Sequence, residues 1–425
     1  MVDERNEYGT PCEDGRVSQT HPLRRQQIAS PRRGAYAGAS LAVVAVAVAV
    51  LAVRPLGQLR GTMLLVLVLP PLAHALDRLG WAEILARHLS GRGASTVRLL
   101  RAYLAWLVVS ALLTLDVAAV VSTPVGLAIA RRWGAAERIQ TWAAILGSNV
   151  GSMLFPFSNL TNLLLVAGTG LGFTAYVDTA WAPQVAAGAA VGLLLVWRRR
   201  AESDAHPDDP SPTTTAAVGA PGITPDMEEG PDPITLAAGA VAALGAVAAV
   251  VVGVVGGDVA LTFAVVTAIV AGLAVLDGAA QLPGLVRSIP ISGVVIVLFA
   301  ALARGPMVEL AGGLPDLERT FPMPIALSAI ALLGGLLAAS VNNLPAAAFG
   351  AVWLVGASPA AIVAYLLGTN VLALLTPHGS LATILGRNLA AGAGAPLPAR
   401  VYLLGAWPYA LAGTVAGLIA LLVIR

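Results

Sequence analysis

Cysteine is nearly absent from this sequence of 425 residues, because its one cysteine, Cys12, lies in a polar N-terminal stretch. A disulfide within the chain is therefore excluded, and so is a thiolate site for a soft metal. Histidine is also scarce, with five residues scattered along the chain, which argues against a histidine-rich metal site.

Charge is scarce as well: 11% of the residues are charged and 57% are hydrophobic. This balance excludes a soluble globular protein, and recurring apolar runs of about twenty residues are each long enough to cross a lipid bilayer. The basic residues cap the ends of these runs instead of forming a patch, so no nucleic-acid partner is expected.

Motifs of catalysis are also missing. The sequence has no phosphate-binding P-loop, no serine–histidine–acid arrangement and no metal-ligand spacing. We therefore expect no enzyme and no cofactor. If the chain moves a solute, an ion gradient or a partner ATPase must supply the energy.

The polar and apolar stretches divide the chain into four parts. We predict a disordered cytoplasmic tail at 1–34, a first transmembrane repeat at 35–200, a cytoplasmic linker at 201–233 and a second transmembrane repeat at 234–425. Arg32 and Arg33 precede the first apolar run, 35–53, which a signal peptide would also explain. The plainer interpretation is a first membrane helix with a cytoplasmic N-terminus, in a multi-pass protein of the cell membrane.

Two segments allow alternatives. Residues 80–101 mix arginines with apolar residues and predict an amphipathic helix at the cytoplasmic surface or a basic loop. Residues 102–130 lie between basic flanks, with Asp116 near the middle and arms of about thirteen residues that are too short to span. A re-entrant hairpin with Asp116 near its tip fits both facts, and a straight crossing is the alternative.

The second half repeats this organisation. The segment 324–356 carries Asn342 and Asn343 at its centre and is the counterpart of the Asp116 hairpin. We count about nine full crossings in the chain, and an odd number of these crossings separates the two hairpins. The two hairpins therefore enter the membrane from opposite sides, and the two halves have opposite orientations. The sequence predicts an all-α polytopic membrane protein, an inverted repeat with two re-entrant hairpins and two broken transmembrane helices.

The broken helices carry the strongest signal. Asn149 and Asn370 each stand seven residues before a proline, Pro156 and Pro377, inside a long apolar run. Polar groups at membrane depth are tolerated only where protein or a water-filled cavity surrounds them, and paired breaks point to a transporter's binding site. The side chains and backbone that we expect to bind substrate or ion here belong to Asn149, Ser158, Asn159, Thr161, Asn162, Asn370, Thr376, His378, Gly379, Ser380 and Thr383. A purely structural use of these groups is the alternative.

Three further candidates, Asp116, Asn342 and Asn343, lie near the breaks. Asp116 could bind a proton or sodium ion, or form a structural hydrogen bond. Asn342 and Asn343 mark the opposite hairpin tip, where a turn or helix cap would also explain them. His378 could exchange a proton near neutral pH or serve as a structural donor.

These residues resemble those of the arsenical pump membrane protein (arsenite permease) family, in the ion transporter superfamily. The resemblance runs from about residue 60 to the C-terminus. It rests on four stretches: Leu115-Asp116 with Thr123-Pro124, Ser158 to Asn162, Asn342 to Pro345, and Thr376 to Thr383.

The resemblance implies an elevator-type fold, usually a homodimer. It also implies efflux of arsenite or antimonite, coupled to protons or driven by a soluble ATPase. The sequence departs from the family where Asn149 and Asn370 replace acids and Leu374 replaces a lysine, which puts the coupling ion, H⁺ or Na⁺, in doubt. Without a membrane cysteine, the solute would be a neutral metalloid hydroxide or a small inorganic oxyanion. A sodium- or proton-coupled carrier of a small carboxylate or other anion, and a sodium/proton antiporter, are the alternatives.

Overall fold

The computed structural model describes residues 60–89, 95–133, 137–205, 232–289 and 291–424, and every regular element in these ranges is helical. The expected tail at 1–34, the first apolar run at 35–53 and most of the expected linker lie outside the described residues.

The first half contains seven helices and one short 3-10 turn at Pro156–Ser158. The helices are α1 (Arg60–Arg78), α2 (Trp81–Leu89), α3 (Ser95–Leu112), α4 (Leu115–Trp133), α5 (Glu137–Gly151), α6 (Leu160–Thr169) and α7 (Phe173–Ala205).

The second half contains eleven helices and a 3-10 turn at Leu372–Leu375. The helices are α8 (Pro233–Val254), α9 (Val259–Leu276), α10 (Leu282–Arg287), α11 (Ile291–Leu302), α12 (Arg304–Gly312), α13 (Leu317–Thr320), α14 (Met323–Val341), α15 (Asn343–Trp353), α16 (Pro359–Asn370), α17 (Leu381–Gly392) and α18 (Ala399–Val423). Elements α3 to α7 recur in the same order as α14 to α18, which confirms the internal repeat.

Six helices in the described ranges are long and apolar enough to cross a membrane: α3, α7, α8, α9, α14 and α18. The apolar stretch near 289–303, one of the nine crossings counted from the sequence, appears as α11, which has 12 residues. At 1.5 Å per residue it reaches about 18 Å, well short of a bilayer's hydrocarbon core. Helix α1 continues through Pro70 and Pro71.

The first hairpin is present, and the straight crossing is excluded. Ser110 of α3 donates to the Ser148 carbonyl oxygen at 2.5 Å, and the hydroxyls of Ser122 of α4 and Ser148 lie 3.2 Å apart. Both arms therefore lie along α5, on either side of a turn at residues 113 and 114.

The expected length of the hairpin arms was wrong. Arg98 and Arg101 belong to the first turns of α3 instead of preceding it, so α3 has 18 residues and α4 has 19. The preceding surface segment is shorter than expected: α2, with Arg87 and His88 in its last turn, is the amphipathic helix.

The second hairpin encloses α16 in the same way. A methyl group at Gly334 of α14 would lie 2.8 Å from the Tyr365 carbonyl oxygen, and one at Gly350 of α15 would lie 2.3 Å from the Tyr365 ring. The Tyr365 hydroxyl donates to the Ala346 carbonyl oxygen at 2.7 Å. Glycine on both arms thus allows the hairpin to close around the tyrosine.

Helices α5 and α16 form the centre of the molecule. Every residue of α5 from Ile139 to Gly151 and every residue of α16 from Ala360 to Asn370 is buried. Burial on all sides requires small residues where neighbouring helices approach, as at Gly147 and Gly368. The C-terminal ends of both helices, with Asn149 and Asn370, consequently lie deep inside the protein.

Candidate functional site: the paired helix breaks

Each break ends in a new helix with a polar N-cap. Asn159 accepts a hydrogen bond from the Thr161 backbone N–H at 3.0 Å and begins α6. Ser380 accepts from the Thr383 backbone N–H at 3.1 Å and begins α17. The two caps occupy equivalent positions in the repeat and satisfy one of the free N–H groups that every helix start leaves.

The first helix end binds the second half of the chain. The Ser380 hydroxyl donates to the Asn149 Oδ1 at 2.6 Å, and the Asn149 Nδ2 donates to the Thr383 Oγ1 at 3.3 Å. The Asn149 amide also donates to the Ile145 carbonyl oxygen at 2.8 Å. Asn149 therefore joins the end of α5 to the start of α17.

The second helix end binds the first half reciprocally. Asn370 Oδ1 accepts from the Asn159 Nδ2 at 3.0 Å and from the Thr161 hydroxyl at 2.8 Å. Its Nδ2 donates to the Asn162 Oδ1 at 2.9 Å. We call this set the central amide network: Asn149, Asn159, Thr161, Asn162, Asn370, Ser380 and Thr383, each at most 2% exposed.

The structure places the predicted residue Ser158 outside this network. Its hydroxyl donates to the Ala111 carbonyl oxygen at 2.6 Å and accepts from the Phe155 backbone N–H at 3.2 Å. Ser158 thereby attaches the first break to the first hairpin.

The second break is attached to the tip of the second hairpin. The Asn343 backbone N–H donates to the Gly379 carbonyl oxygen at 2.8 Å, and the Asn342 Nδ2 donates to the His378 carbonyl oxygen at 2.8 Å. The Thr376 hydroxyl donates to the Ala339 carbonyl oxygen at 2.9 Å. His378 itself is exposed, beyond the central amide network.

One buried oxygen at this tip has no partner among the described residues. It is the Oδ1 of Asn343, a side chain that is 1% exposed. Asn343 stands at the first position of α15, where helical N–H groups are free. Among the described residues, no group of three or more His, Cys, Asp or Glu side chains is arranged to hold a metal.

The predicted residue Asp116 is the second residue of α4. Its side chain lies outside the described part of the structure, so its role stays a prediction. The helix start itself is ordered by Thr114, whose side-chain oxygen accepts from the Val117 backbone N–H at 3.4 Å.

A cavity of about 40 Å³ lies where four helices begin. Residues at the starts of α4, α6, α15 and α17 line it: Thr114, Leu115, Leu160, Leu344 and Leu381. Helix N-termini carry partial positive charge, so their convergence favours an anion. The sequence did not predict that leucines line this cavity, or that α1 contributes to it from Leu65 to Pro70. The leucine that follows each helix cap, Leu160 and Leu381, is the sequence feature that could have indicated the leucine lining.

The backbone of Asn342 gives a test of the hairpin tip. Its φ of 98° and ψ of 152° fall in a region that is almost restricted to glycine. We expect Asn342→Ala to lower stability by about 2 kcal/mol, because alanine keeps the strain and loses the side-chain cap on Leu344. Asn342→Gly relieves the strain and should destabilise less, as measured by thermal unfolding in detergent. An alanine variant as stable as the glycine variant would contradict this account.

A family model described as citrate transporter, CitMHS, matches residues 32–379. This range covers the first repeat, both hairpins and most of the second break. The chain belongs to the citrate transporter family. It is thus a membrane transporter, in line with its apolar helices and its likeness to the ion transporter superfamily. The match does not distinguish arsenical pumps within that superfamily.

The fold of this citrate transporter family member is similar to that of a solved transporter. The crystal structure of the Alcanivorax borkumensis YdaH transporter, described as having an unusual topology, matches with a TM-score of 0.59 at 16% identity. The alignment covers 96% of this chain and 93% of that chain. No curated protein matches the sequence significantly.

Proposed function

We propose that this protein is a secondary active transporter of a small carboxylate anion, with citrate as the first candidate. The observation that carries the proposal is the convergence of four helix starts on one cavity. The partial positive charge of these helix starts and the N–H groups that the caps do not bind offer the donors that a carboxylate needs. Family membership favours this alternative over the efflux of arsenite or antimonite.

Coupling to a cation follows from the charge of the site. The residues that line the cavity include no lysine or arginine in the described part of the chain. A multiply charged anion would therefore enter a largely apolar cavity without a counter-charge, which is costly. A co-bound Na⁺ or H⁺ removes this cost. The unpartnered Asn343 Oδ1 is a candidate oxygen ligand for Na⁺, and Asp116 is the candidate proton carrier.

The size of the cavity requires a conformational change. A volume of about 40 Å³ holds a few water molecules but not a six-carbon tricarboxylate. The structure thus corresponds to a closed state in this proposal, and transport opens the cavity. An elevator-like displacement, a homodimer and a cytoplasmic N-terminus belong to the same proposal. A soluble ATPase is not needed if an ion gradient drives transport.

The test is uptake into proteoliposomes that contain the purified chain. Radiolabelled citrate, succinate and arsenite are offered under an inward Na⁺ gradient, an inward H⁺ gradient or no gradient, with protein-free liposomes as the control. We expect carboxylate uptake that one cation gradient drives and that excess unlabelled citrate inhibits. Arsenite movement without carboxylate movement would replace this proposal by the arsenical one, and gradient-driven uptake of neither would contradict both.

A further inference from the structure

Several buried polar atoms beyond the central amide network have no hydrogen-bond partner among the described residues, and three of them lie on α4, α5 and the start of α18. They are the Thr123 Oγ1 on α4, the Gln140 Oε1 on α5 and the Tyr402 hydroxyl on α18. Their residues are between 0% and 2% exposed. Buried polar groups in folded proteins nearly always have a partner, which is either protein or ordered water.

Two of these atoms adjoin the same face of α17. Thr383, Gly386 and Arg387 are spaced three and four residues apart, so they share one side of this helix. A methyl group at Gly386 would lie 3.3 Å from the Thr123 Oγ1. On the α18 side, the Tyr402 hydroxyl lies beside Thr383, and the Arg387 guanidinium lies 5.8 Å from the centre of the Tyr402 ring.

The residue that carries the third atom continues the row towards the end of the helices. Gly126 lies three residues after Thr123 on α4, and a methyl group there would be 3.4 Å from the backbone carbonyl oxygen of Gln140 and 3.6 Å from its Cβ. Beyond it, Arg131 forms a salt bridge of 2.7 Å with Glu137 and donates to the Ala393 carbonyl oxygen. The row therefore runs from Thr383 to the region where α4 and α17 end and α5 begins.

Three other buried tyrosines provide a comparison. Tyr103, Tyr176 and Tyr365 are at most 1% exposed, and each hydroxyl donates to a backbone carbonyl oxygen. The acceptors are Gly188, Met153 and Ala346, at distances of 2.6 to 3.0 Å. Tyr402 is equally buried, but its hydroxyl has no backbone carbonyl acceptor among the described residues, and the Thr383 side chain is its neighbour.

We infer that ordered water binds between α4, α17 and α18, with Thr123 and Tyr402 as its principal partners and Gln140 at its outer end. This water site begins at Thr383, a member of the central amide network, and extends to Arg387, whose Nε donates to the Leu397 carbonyl oxygen. It connects the network with the end of the molecule where Arg131 lies. If this water serves as a proton route for coupling, that role rests on the proposed function. The existence of the water site does not depend on the proposed function.

The test is labelling by hydroxyl radicals that a short X-ray pulse generates from water, followed by mass spectrometry. Bound internal water labels the side chains beside it, even where bulk solvent has no access. With the full-length chain in lipid nanodiscs, we expect Tyr402 to be labelled several-fold faster than Tyr103, Tyr176 and Tyr365. Labelling of Tyr402 as slow as that of these three reference tyrosines would overturn the inference.

A matched pair of variants locates the water. Thr123→Val keeps the shape of the side chain and removes one water partner, so Tyr402 labelling should fall several-fold while the reference tyrosines stay unchanged. Thr414→Val removes another buried hydroxyl of α18 without a partner among the described residues, about 18 Å along the helix from Tyr402. It should therefore leave Tyr402 labelling as it is. Thr414 lies next to Gly413, which packs against Val371 and Val191.

Unchanged Tyr402 labelling in Thr123→Val would contradict the water site. An equal loss of Tyr402 labelling in Thr414→Val would contradict it as well. The labelling experiment needs no transported solute. The water site can therefore be disproved while the proposed function holds, and the proposed function can be disproved while the water site holds.

Discussion

Asn370→Leu is expected to abolish transport and to destabilise the protein by about 3–6 kcal/mol. Leucine has a similar volume but offers no hydrogen bond, so the side chains of Asn159, Thr161 and Asn162 each lose a buried partner. A buried polar group that is left unsatisfied costs about 1–3 kcal/mol. The measurements are substrate uptake in proteoliposomes and the apparent melting temperature, which should fall by several degrees.

The repeat supplies a companion for this variant, and α17 supplies its control. Asn149→Leu should have a similar effect, because Asn149 bonds to Ser380 and Thr383 in the same way. Asn388→Leu makes the identical change at an exposed position of α17 and should leave both uptake and melting temperature near the unmodified values. Normal uptake by Asn370→Leu would show that the central amide network is dispensable for transport.

Gly368→Ala is expected to lower stability by about 3 kcal/mol, which is the upper end of the usual cost of overpacking a tight core. The added methyl group would lie 2.1 Å from the Ala331 carbonyl oxygen and 2.6 Å from the Gly335 backbone nitrogen. Both atoms belong to the backbone of α14, so a side-chain rotation cannot make room. The yield of monodisperse protein and its melting temperature should both fall.

The control for this second variant is Gly272→Ala in α9. Within the described ranges, no atom lies within 4 Å of the position that its methyl group would take. Alanine is the better helix former by about 1 kcal/mol, so this change should be neutral or mildly stabilising. Equal stability of Gly368→Ala and Gly272→Ala would mean that α14 and α16 separate freely, against the close packing of the structure.

The breaks could be predicted from sequence because their signals are local. Asn149 and Asn370 each precede a proline by seven residues, and proline lacks the N–H that a helix requires. Caps such as Asn159 and Ser380 act on N–H groups two or three residues away, so their positions can be read directly from the chain.

The partners across the halves could not be predicted, because tertiary packing decides them. Nothing near Asn149 in the sequence indicates that its amide bonds to Ser380 instead of Asn159. The length of the hairpin arms was underestimated for a related reason. Arg98 and Arg101 look like a boundary by charge, whereas their helical propensity lets α3 begin at Ser95. The roles of the site residues in binding stay predictions, including that of the exposed His378.

The reciprocal bonds of Asn149 and Asn370 have a mechanical consequence. Five hydrogen bonds run between the halves at the two breaks, and each half completes the polar ends of the other. One break cannot shift alone without stripping buried amides of their partners. The ends of α5 and α16 and the starts of α6 and α17 are therefore tied into one unit. In the proposed transport cycle, movement that opens the cavity comes from the elements around this unit, of which α1 contributes the most lining residues.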